Sequence, residues 1–213
     1  MQALEKITIS TNWIPLVLVF LFAIIAVLKI IDAEKLKGYV FALFNKGFIE
    51  GEAAEDTSLF SSFYSLLFVF SATVLALIIS LFVTERNVNL ALSFSSFFSV
   101  LKMVFCYLIF KSLLEVALMR LFLIKKQVRF FLVSKWSSLY SISFFLLVFF
   151  VLFQFSPLNY LCFLYITLIL FFLRFVLQLG NNKNLVFSEL FYFILYICAF
   201  EIAPLLTLFK LML

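Results

Sequence analysis

Long apolar runs alternate with short polar connections along almost the whole chain. Six runs are long enough to be membrane-spanning helices, which need roughly 20 mostly apolar residues. They lie near 13–31, 60–83, 98–123, 139–155, 159–179 and 187–209. The pattern therefore predicts an all-α, polytopic membrane protein in which residues 1–213 form a single transmembrane domain.

The one long polar stretch, 31–59, splits into two parts. In Ala33–Phe44 the apolar residues recur at helical spacing, which predicts an amphipathic helix on the membrane surface; they are Leu36, Val40, Leu43 and Phe44. Ile49–Ser58 is acidic and contains a glycine, which is typical of a flexible loop. Its carboxylates are either solvated or a docking strip for a basic partner; they are Glu50, Glu52, Glu55 and Asp56.

The other connections are short. We expect a polar turn at Thr84–Asn89 and a basic loop at Lys125–Lys135. We also expect a tight turn at Phe155–Asn159 and a helix cap at Gly180–Asn184. The turn between the fourth and fifth runs has five residues and no charge. Residues 139–179 are therefore either two full spans or a re-entrant hairpin.

Composition agrees with a lipid environment. Hydrophobic residues make up 66% of the chain and charged residues 13%, and the mean hydropathy is +1.23. So few charges could not cover the surface of a water-soluble protein of this length. With so little sequence outside the runs, no soluble catalytic domain is expected.

The basic residues predict the orientation. If the amino terminus is outside the cytoplasm, cytoplasmic loops and helix ends hold 11 basic residues, against 3 on the other side. The 11 are Lys29, Lys35, Lys37, Lys46, Arg120, Lys125, Lys126, Arg129, Lys135, Arg174 and Lys183, and the 3 are Lys6, Arg86 and Lys210. Both termini are thus expected on the non-cytoplasmic face, and the segment 33–58 in the cytoplasm.

Residues for common chemistry are missing. The chain has no histidine, which removes the commonest general base and metal ligand. Cys106, Cys162 and Cys198 fall in three different runs without zinc spacing, and no nucleophile-elbow, Walker or dinucleotide pattern occurs. We therefore expect no enzyme, no cofactor and no metal. The basic excess is a topology signal, so no nucleic acid partner is expected.

Ionisable residues inside the runs form a candidate site. Lys102, Lys111 and Glu115 lie in the third run, and Glu201 lies in the sixth, three residues before Pro204. A charge at a helix centre costs about 2.5–3.5 kcal/mol on insertion scales, so such residues usually face the bundle interior and find partners. Lys111 and Glu115 share one helical face because they are four residues apart. We expect Glu201 to pair with Lys111 or with Lys102.

Three roles remain open for this intramembrane charge cluster. It locks the third and sixth helices together, it anchors charged groups of a partner's helix, or it forms a proton or ion path. All four glycines lie outside the spans, so no GxxxG contact, filter or broken helix supports a channel or transporter. A bulky helical unit that packs against other subunits fits the pattern better.

The last run carries a resemblance. Its sequence LYICAFEIAPLLTLFK, from Leu195 to Lys210, resembles the carboxyl-terminal signature of domain-of-unknown-function family 4271, an integral membrane family of Bacteroidota. The matching positions are Tyr196-Ile197-Cys198, Glu201-Ile202, Pro204-Leu205-Leu206 and Lys210, and Asn12-Trp13 and Tyr107 with Lys111 are similar to the family's layout. The resemblance implies a multi-pass protein of the inner membrane and brings no known activity.

Two functions follow as expectations. The first is a non-enzymatic subunit or assembly factor that packs against a larger envelope complex, such as the Bacteroidota secretion or gliding machinery. Its partners would be membrane lipid and other integral membrane subunits. The alternative is a small transporter or proton-conducting subunit that uses Glu201.

Overall fold

A computed structural model describes residues 13–54, 62–86, 93–121, 125–156 and 160–181. Seven α-helices and no strand occur in these ranges: α1 (Trp13–Ile31), α2 (Ala33–Val40), α3 (Lys46–Ala54), α4 (Ser62–Arg86), α5 (Phe94–Leu121), α6 (Lys125–Phe155) and α7 (Tyr160–Asn181). Five of them, α1 and α4 to α7, are long and apolar enough to cross a membrane. The predicted all-α class is confirmed, and the sixth run, 187–209, lies outside the described residues.

Helix α4 is the centre of the bundle and packs against α1, α5 and α6. Its Phe70 is fully buried and stacks on Phe144 of α6, with ring centroids 4.5 Å apart. Hydroxyls along α4 donate to carbonyls three or four residues earlier, as Ser71 does to Phe68 and Thr73 to Val69. These bonds satisfy polar groups that lipid and apolar side chains could not solvate.

Aromatic contacts identify the two ends of the bundle. At the end of the bundle where α1 begins, which we call the far end, Trp13 of α1 stacks on Phe97 of α5 with ring centroids 4.9 Å apart. At the same end, Phe82 of α4 contacts Tyr160 of α7. Helices α1, α5 and α7 therefore start close to the ends of α4 and α6, as short connections require. We call the opposite end, where α1 ends and α4 begins, the hairpin end.

Helices α2 and α3 form a short antiparallel hairpin at that end. Asp32 caps α2 by accepting a hydrogen bond from the Lys35 amide at 2.8 Å, and Asn45 caps α3 by accepting one from the Phe48 amide at 3.2 Å. The ring of Phe48 lies directly over Gly38, so a Cβ atom there would overlap it. The loop predicted over Ile49–Ser58 is wrong for 49–54, which are helical, and 55–58 lie outside the described residues.

The hairpin runs beside α6 in a constant register. Tyr39 contacts Tyr140, the carbonyl of Val40 accepts a 2.7 Å hydrogen bond from Ser141, and Phe44 contacts Phe145. Ser141 is nine residues, or about 14 Å, beyond Leu132, where the apolar part of α6 begins. The predicted amphipathic helix therefore packs its apolar face on α6.

Helix α6 is longer than the sequence indicates. It begins at Lys125, so the predicted basic loop Lys125–Lys135 is wrong. Its 31 residues and the 22 of α7 are each long enough for a full span.

Candidate functional site: two buried polar clusters

The inner cluster joins α5 to α6 near the hairpin end. One carboxylate oxygen of Glu115 accepts a hydrogen bond from the Lys135 ammonium at 2.7 Å, and the other accepts one from the Trp136 indole N–H at 2.9 Å. Glu115 and Lys135 are each only 2% exposed. A charge-assisted hydrogen bond from Lys135 and a second one from the Trp136 indole thus satisfy both oxygens of a buried carboxylate.

Arg174 of α7 extends the inner cluster to a third helix. Its guanidinium donates to the Ser138 hydroxyl at 3.2 Å and to the Lys135 carbonyl at 3.3 Å. The sequence analysis counted Arg174 only among the basic residues of cytoplasmic loops and helix ends. The structure turns it towards α6, where small serine side chains leave space for a guanidinium.

The predicted charge cluster is divided between two faces of α5. Lys102 and Lys111 are nine residues apart, which at 100° per residue places them on opposite sides of the helix. Lys111 shares the buried face of Val104 and Leu108, and its ammonium lies 5.7 Å from the Tyr107 ring centroid. Lys102 is exposed and lies over the Phe98 ring at 4.6 Å. Glu201 and Pro204 lie outside the described residues.

The second cluster ties the hairpin together and fixes it to α4. The Lys35 ammonium lies 3.0 Å from a carboxylate oxygen of Glu52, which also accepts a hydrogen bond from the Tyr64 hydroxyl. Lys35 lies over the Tyr64 ring at 5.4 Å, and Tyr39 packs edge-on against the same ring at 6.0 Å. We call Lys35, Glu52, Tyr64 and Tyr39 the hairpin cluster.

The hairpin cluster favours a charged lysine. Partial burial acts to lower the pKa of Lys35, but hydrogen bonds to Glu52 and Tyr64 outweigh burial and raise the pKa above its usual value. Burial, followed by the charges of Tyr64 and Glu52, also raises the pKa of Tyr39. The contribution of Lys35 to stability is therefore complete below the ordinary lysine pKa and is lost only as the pH rises through the raised value.

Amine labelling tests this pKa shift. Only the neutral amine reacts with an acylating reagent, and each unit of raised pKa lowers its fraction about tenfold. At about pH 9, Lys35 should therefore be acylated much more slowly than the exposed Lys37, as peptide mass spectrometry can measure. Glu52→Gln should raise the rate at Lys35 and leave Lys37 unchanged; equal rates in the wild-type protein would contradict the shift.

The predicted docking residues differ in their exposure. Leu36 and Leu43 are buried, Val40 is partly buried, and Glu52 is committed to the hairpin cluster. Phe44 is 64% exposed, and Glu50 is exposed in an ion pair with Lys46 at 3.5 Å. Glu55 and Asp56 lie outside the described residues. Of the predicted strip, Phe44 and Glu50 thus remain accessible to another molecule.

Sequence reasoning missed Lys135 and its surroundings. Lys135 was assigned to a loop because basic residues crowd 125–135, yet it lies in a stretch of α6 with buried serines at 134, 137, 138, 141 and 143. A serine-rich stretch next to Trp136 was the available signal, since small residues allow close helix approach. In the described ranges, no group of three or more Cys, Asp or Glu lies close enough to hold a metal ion.

These features define a helical protein whose spans have membrane length and whose buried charges are paired between helices. The chain belongs to the family described as domain of unknown function DUF4271, whose model matches residues 14–212. Comparison with curated proteins and with solved structures gives no match.

Proposed function

We propose that the protein is a non-enzymatic subunit or accessory factor that packs against a larger complex of the bacterial inner membrane. The complex would belong to the envelope machinery of Bacteroidota, such as secretion or gliding. Its docking surface is the outward face of the α2–α3 hairpin, made of Phe41, Phe44, Lys46 and Glu50.

The proposal rests on the exposure of this face beside the apolar part of α6. Phe41 is 51% and Phe44 64% exposed, and the side chains of Lys46 and Glu50 are 54% and 58% exposed. Contacts of Phe44 with Phe145 place the face beside the apolar part of α6. Lipid solvates the rings but not the ion pair, whereas a partner helix with polar groups accommodates both. Aromatic residues such as Phe are also enriched at protein interfaces.

The buried clusters support a structural role for the internal charges. Both oxygens of Glu115 accept hydrogen bonds, and Glu52 is held by two hairpin-cluster residues. Such pairing suits the locking of helices better than reversible proton uptake, which needs access to water. The excess of basic residues supports a cytoplasmic hairpin end and periplasmic termini.

Photo-crosslinking tests the docking surface. A benzoylphenylalanine at position 44 should give one discrete crosslinked product with another membrane protein in native membranes, identified by mass spectrometry. The matched control is position 172, a 69% exposed Phe on α7 that we expect to face lipid. Lys46→Glu, which places two carboxylates together, should lower the yield several-fold.

A protein that is recovered alone, with no product at position 44, would overturn the proposal. The alternative would then lead: a small transporter in which Glu201 carries protons. Unchanged flux in Glu201→Gln across pH would exclude that alternative.

A further inference from the structure

One face of α5 carries a basic residue on an otherwise apolar surface. Its exposed residues recur every three or four positions and form one line along the helix, which we call the α5 stripe; they are Phe98, Lys102, Cys106, Ile109, Phe110 and Leu113. Lys102 is eight residues, or about 12 Å, from Phe94 at the start of α5. A lysine in a membrane-spanning helix costs free energy unless its ammonium reaches water or an anion.

The ammonium of Lys102 is directed towards the far end. It lies 4.6 Å from the centroid of the Phe98 ring, and Phe98 is about one helical turn closer to that end. Trp13 stacks on Phe97 at the same level, and tryptophan is typical of the interface between lipid and water. The flexible stem of Lys102 therefore brings the charge to the depth of the lipid headgroups.

Lys102 makes no ion pair in the described ranges. Lys35, Lys46 and Lys135 each pair with a glutamate there, whereas Lys102 contacts the ring of Phe98. A second copy of the chain is a poor counterpart, because a symmetric contact would bring two Lys102 ammonium groups towards each other in an apolar medium. An anion from the surroundings of the protein suits this position better.

We propose that the α5 stripe binds an anionic phospholipid of the leaflet at the far end, with the phosphate at Lys102 and one acyl chain along the apolar residues that follow. From Lys102 to Leu113 is 11 residues, or about 16 Å. The hydrocarbon of one leaflet is about 15 Å thick, half of a bilayer core of about 30 Å. One lipid molecule thus matches both the charge at the top of the stripe and the length of the apolar surface beneath it.

The residues of the stripe favour a lipid over a partner helix. Contacts between helices in membranes are enriched in Gly, Ala, Ser and Thr, and the α5 stripe contains none of them. Phe110 and Leu113 are instead bulky and 64% and 60% exposed, as lipid-facing side chains are. Phospholipid phosphates also lie at the depth of the ammonium, whereas a partner helix would have to place a carboxylate there.

The charge selects the class of lipid. A zwitterionic headgroup carries its own ammonium, which offsets its phosphate, whereas an anionic headgroup attracts lysine through its net charge. The α5 stripe is a different surface from the outward face of the hairpin, and the lipid site does not depend on the proposed function.

Photolabelling with two phospholipids tests the site. The full-length protein is reconstituted in phosphatidylethanolamine vesicles with a trace of phosphatidylglycerol or of phosphatidylcholine that carries a diazirine on one acyl chain. Mass spectrometry then measures the labelling of residues 98–113. The phosphatidylglycerol probe should label them about fivefold more than the phosphatidylcholine probe, which corresponds to the roughly 1 kcal/mol that anionic lipid contributes per lysine.

Helix α1 is the reference within the same leaflet. Leu16 and Phe20 are 67% and 50% exposed near the far end, and residues 13–28 contain no basic side chain. Both probes should therefore label this part of α1 equally. Lys102→Gln should remove the preference at 98–113 and leave α1 unchanged, which a misfolded variant would not do.

Two further variants make the result specific to the charge of Lys102. Lys102→Arg should keep the preference for phosphatidylglycerol, and so should Lys37→Gln, which removes an exposed lysine of α2. Equal labelling of 98–113 by both probes, or a preference that survives Lys102→Gln, would overturn the proposal. A benzoylphenylalanine at position 98 that gives a discrete crosslink to another protein in native membranes would also overturn it, since a partner helix would then occupy the stripe.

Discussion

Replacing Glu115 with alanine is expected to lower the free energy of unfolding by about 3–5 kcal/mol, among the largest effects of any single change in the described spans. The reason is that Lys135, which is only 2% exposed, would lose its carboxylate partner. Trp136 would also lose its acceptor. Thermal unfolding in one detergent, followed by far-ultraviolet circular dichroism, measures the loss.

Two variants make this result specific. Glu50→Ala breaks the exposed ion pair with Lys46 and should change stability by less than about 1 kcal/mol. The double change Glu115→Leu with Lys135→Met removes both charges of the pair and should recover much of the lost stability. A Glu115→Ala protein as stable as Glu50→Ala would show that the inner cluster does not hold α5 and α6 together.

Gly38→Ala is expected to lower the free energy of unfolding by about 1–3 kcal/mol, the usual cost of overpacking. A methyl group at this position overlaps the Phe48 ring, and that ring cannot move freely because it packs on Tyr39 at 5.1 Å. The hairpin arms must separate to accommodate the methyl group. Faster proteolysis or hydrogen exchange confined to 33–54 would report that separation.

Gly51→Ala is the matched control in the other arm. Nothing lies within 4 Å of a Cβ atom at Gly51, so alanine should be neutral or should stabilise α3 by up to about 1 kcal/mol. Combining Gly38→Ala with Phe48→Ala should remove the overlap. If Gly38→Ala and Gly51→Ala behave alike, the close approach of α2 to α3 is not required for the fold.

Spans were predictable because lipid imposes both length and composition on a helix. The run 13–31 therefore coincides with α1 to the residue. The start of α6 was not predictable from local charge, because Lys135 is paired with a residue 20 positions earlier and buried by tertiary packing. Hydropathy shows that Glu115 needs a partner but not which helix supplies it.

The hairpin marks another limit of sequence patterns. The apolar period of Leu36, Val40 and Leu43 serves equally for a helix on a membrane surface and for one packed on α6. The contacts with Tyr140 and Ser141 show that this face packs on α6, which the period alone does not predict. The sequence likewise does not distinguish Glu52 from the neighbouring acidic residues. Its contacts with Lys35 and Tyr64 are visible only in the structure.

The constant register between the hairpin and α6 has a consequence for biogenesis. Each contact, such as Val40 with Ser141 or Phe44 with Phe145, joins residues 101 positions apart. Ribosomes add about 5–20 residues per second, so the hairpin is made about 5–20 s before its docking site. During that interval the face of α2 that packs on α6 has not yet met this helix. This delay makes residues 33–54 the segment that a membrane chaperone or insertase would need to shield.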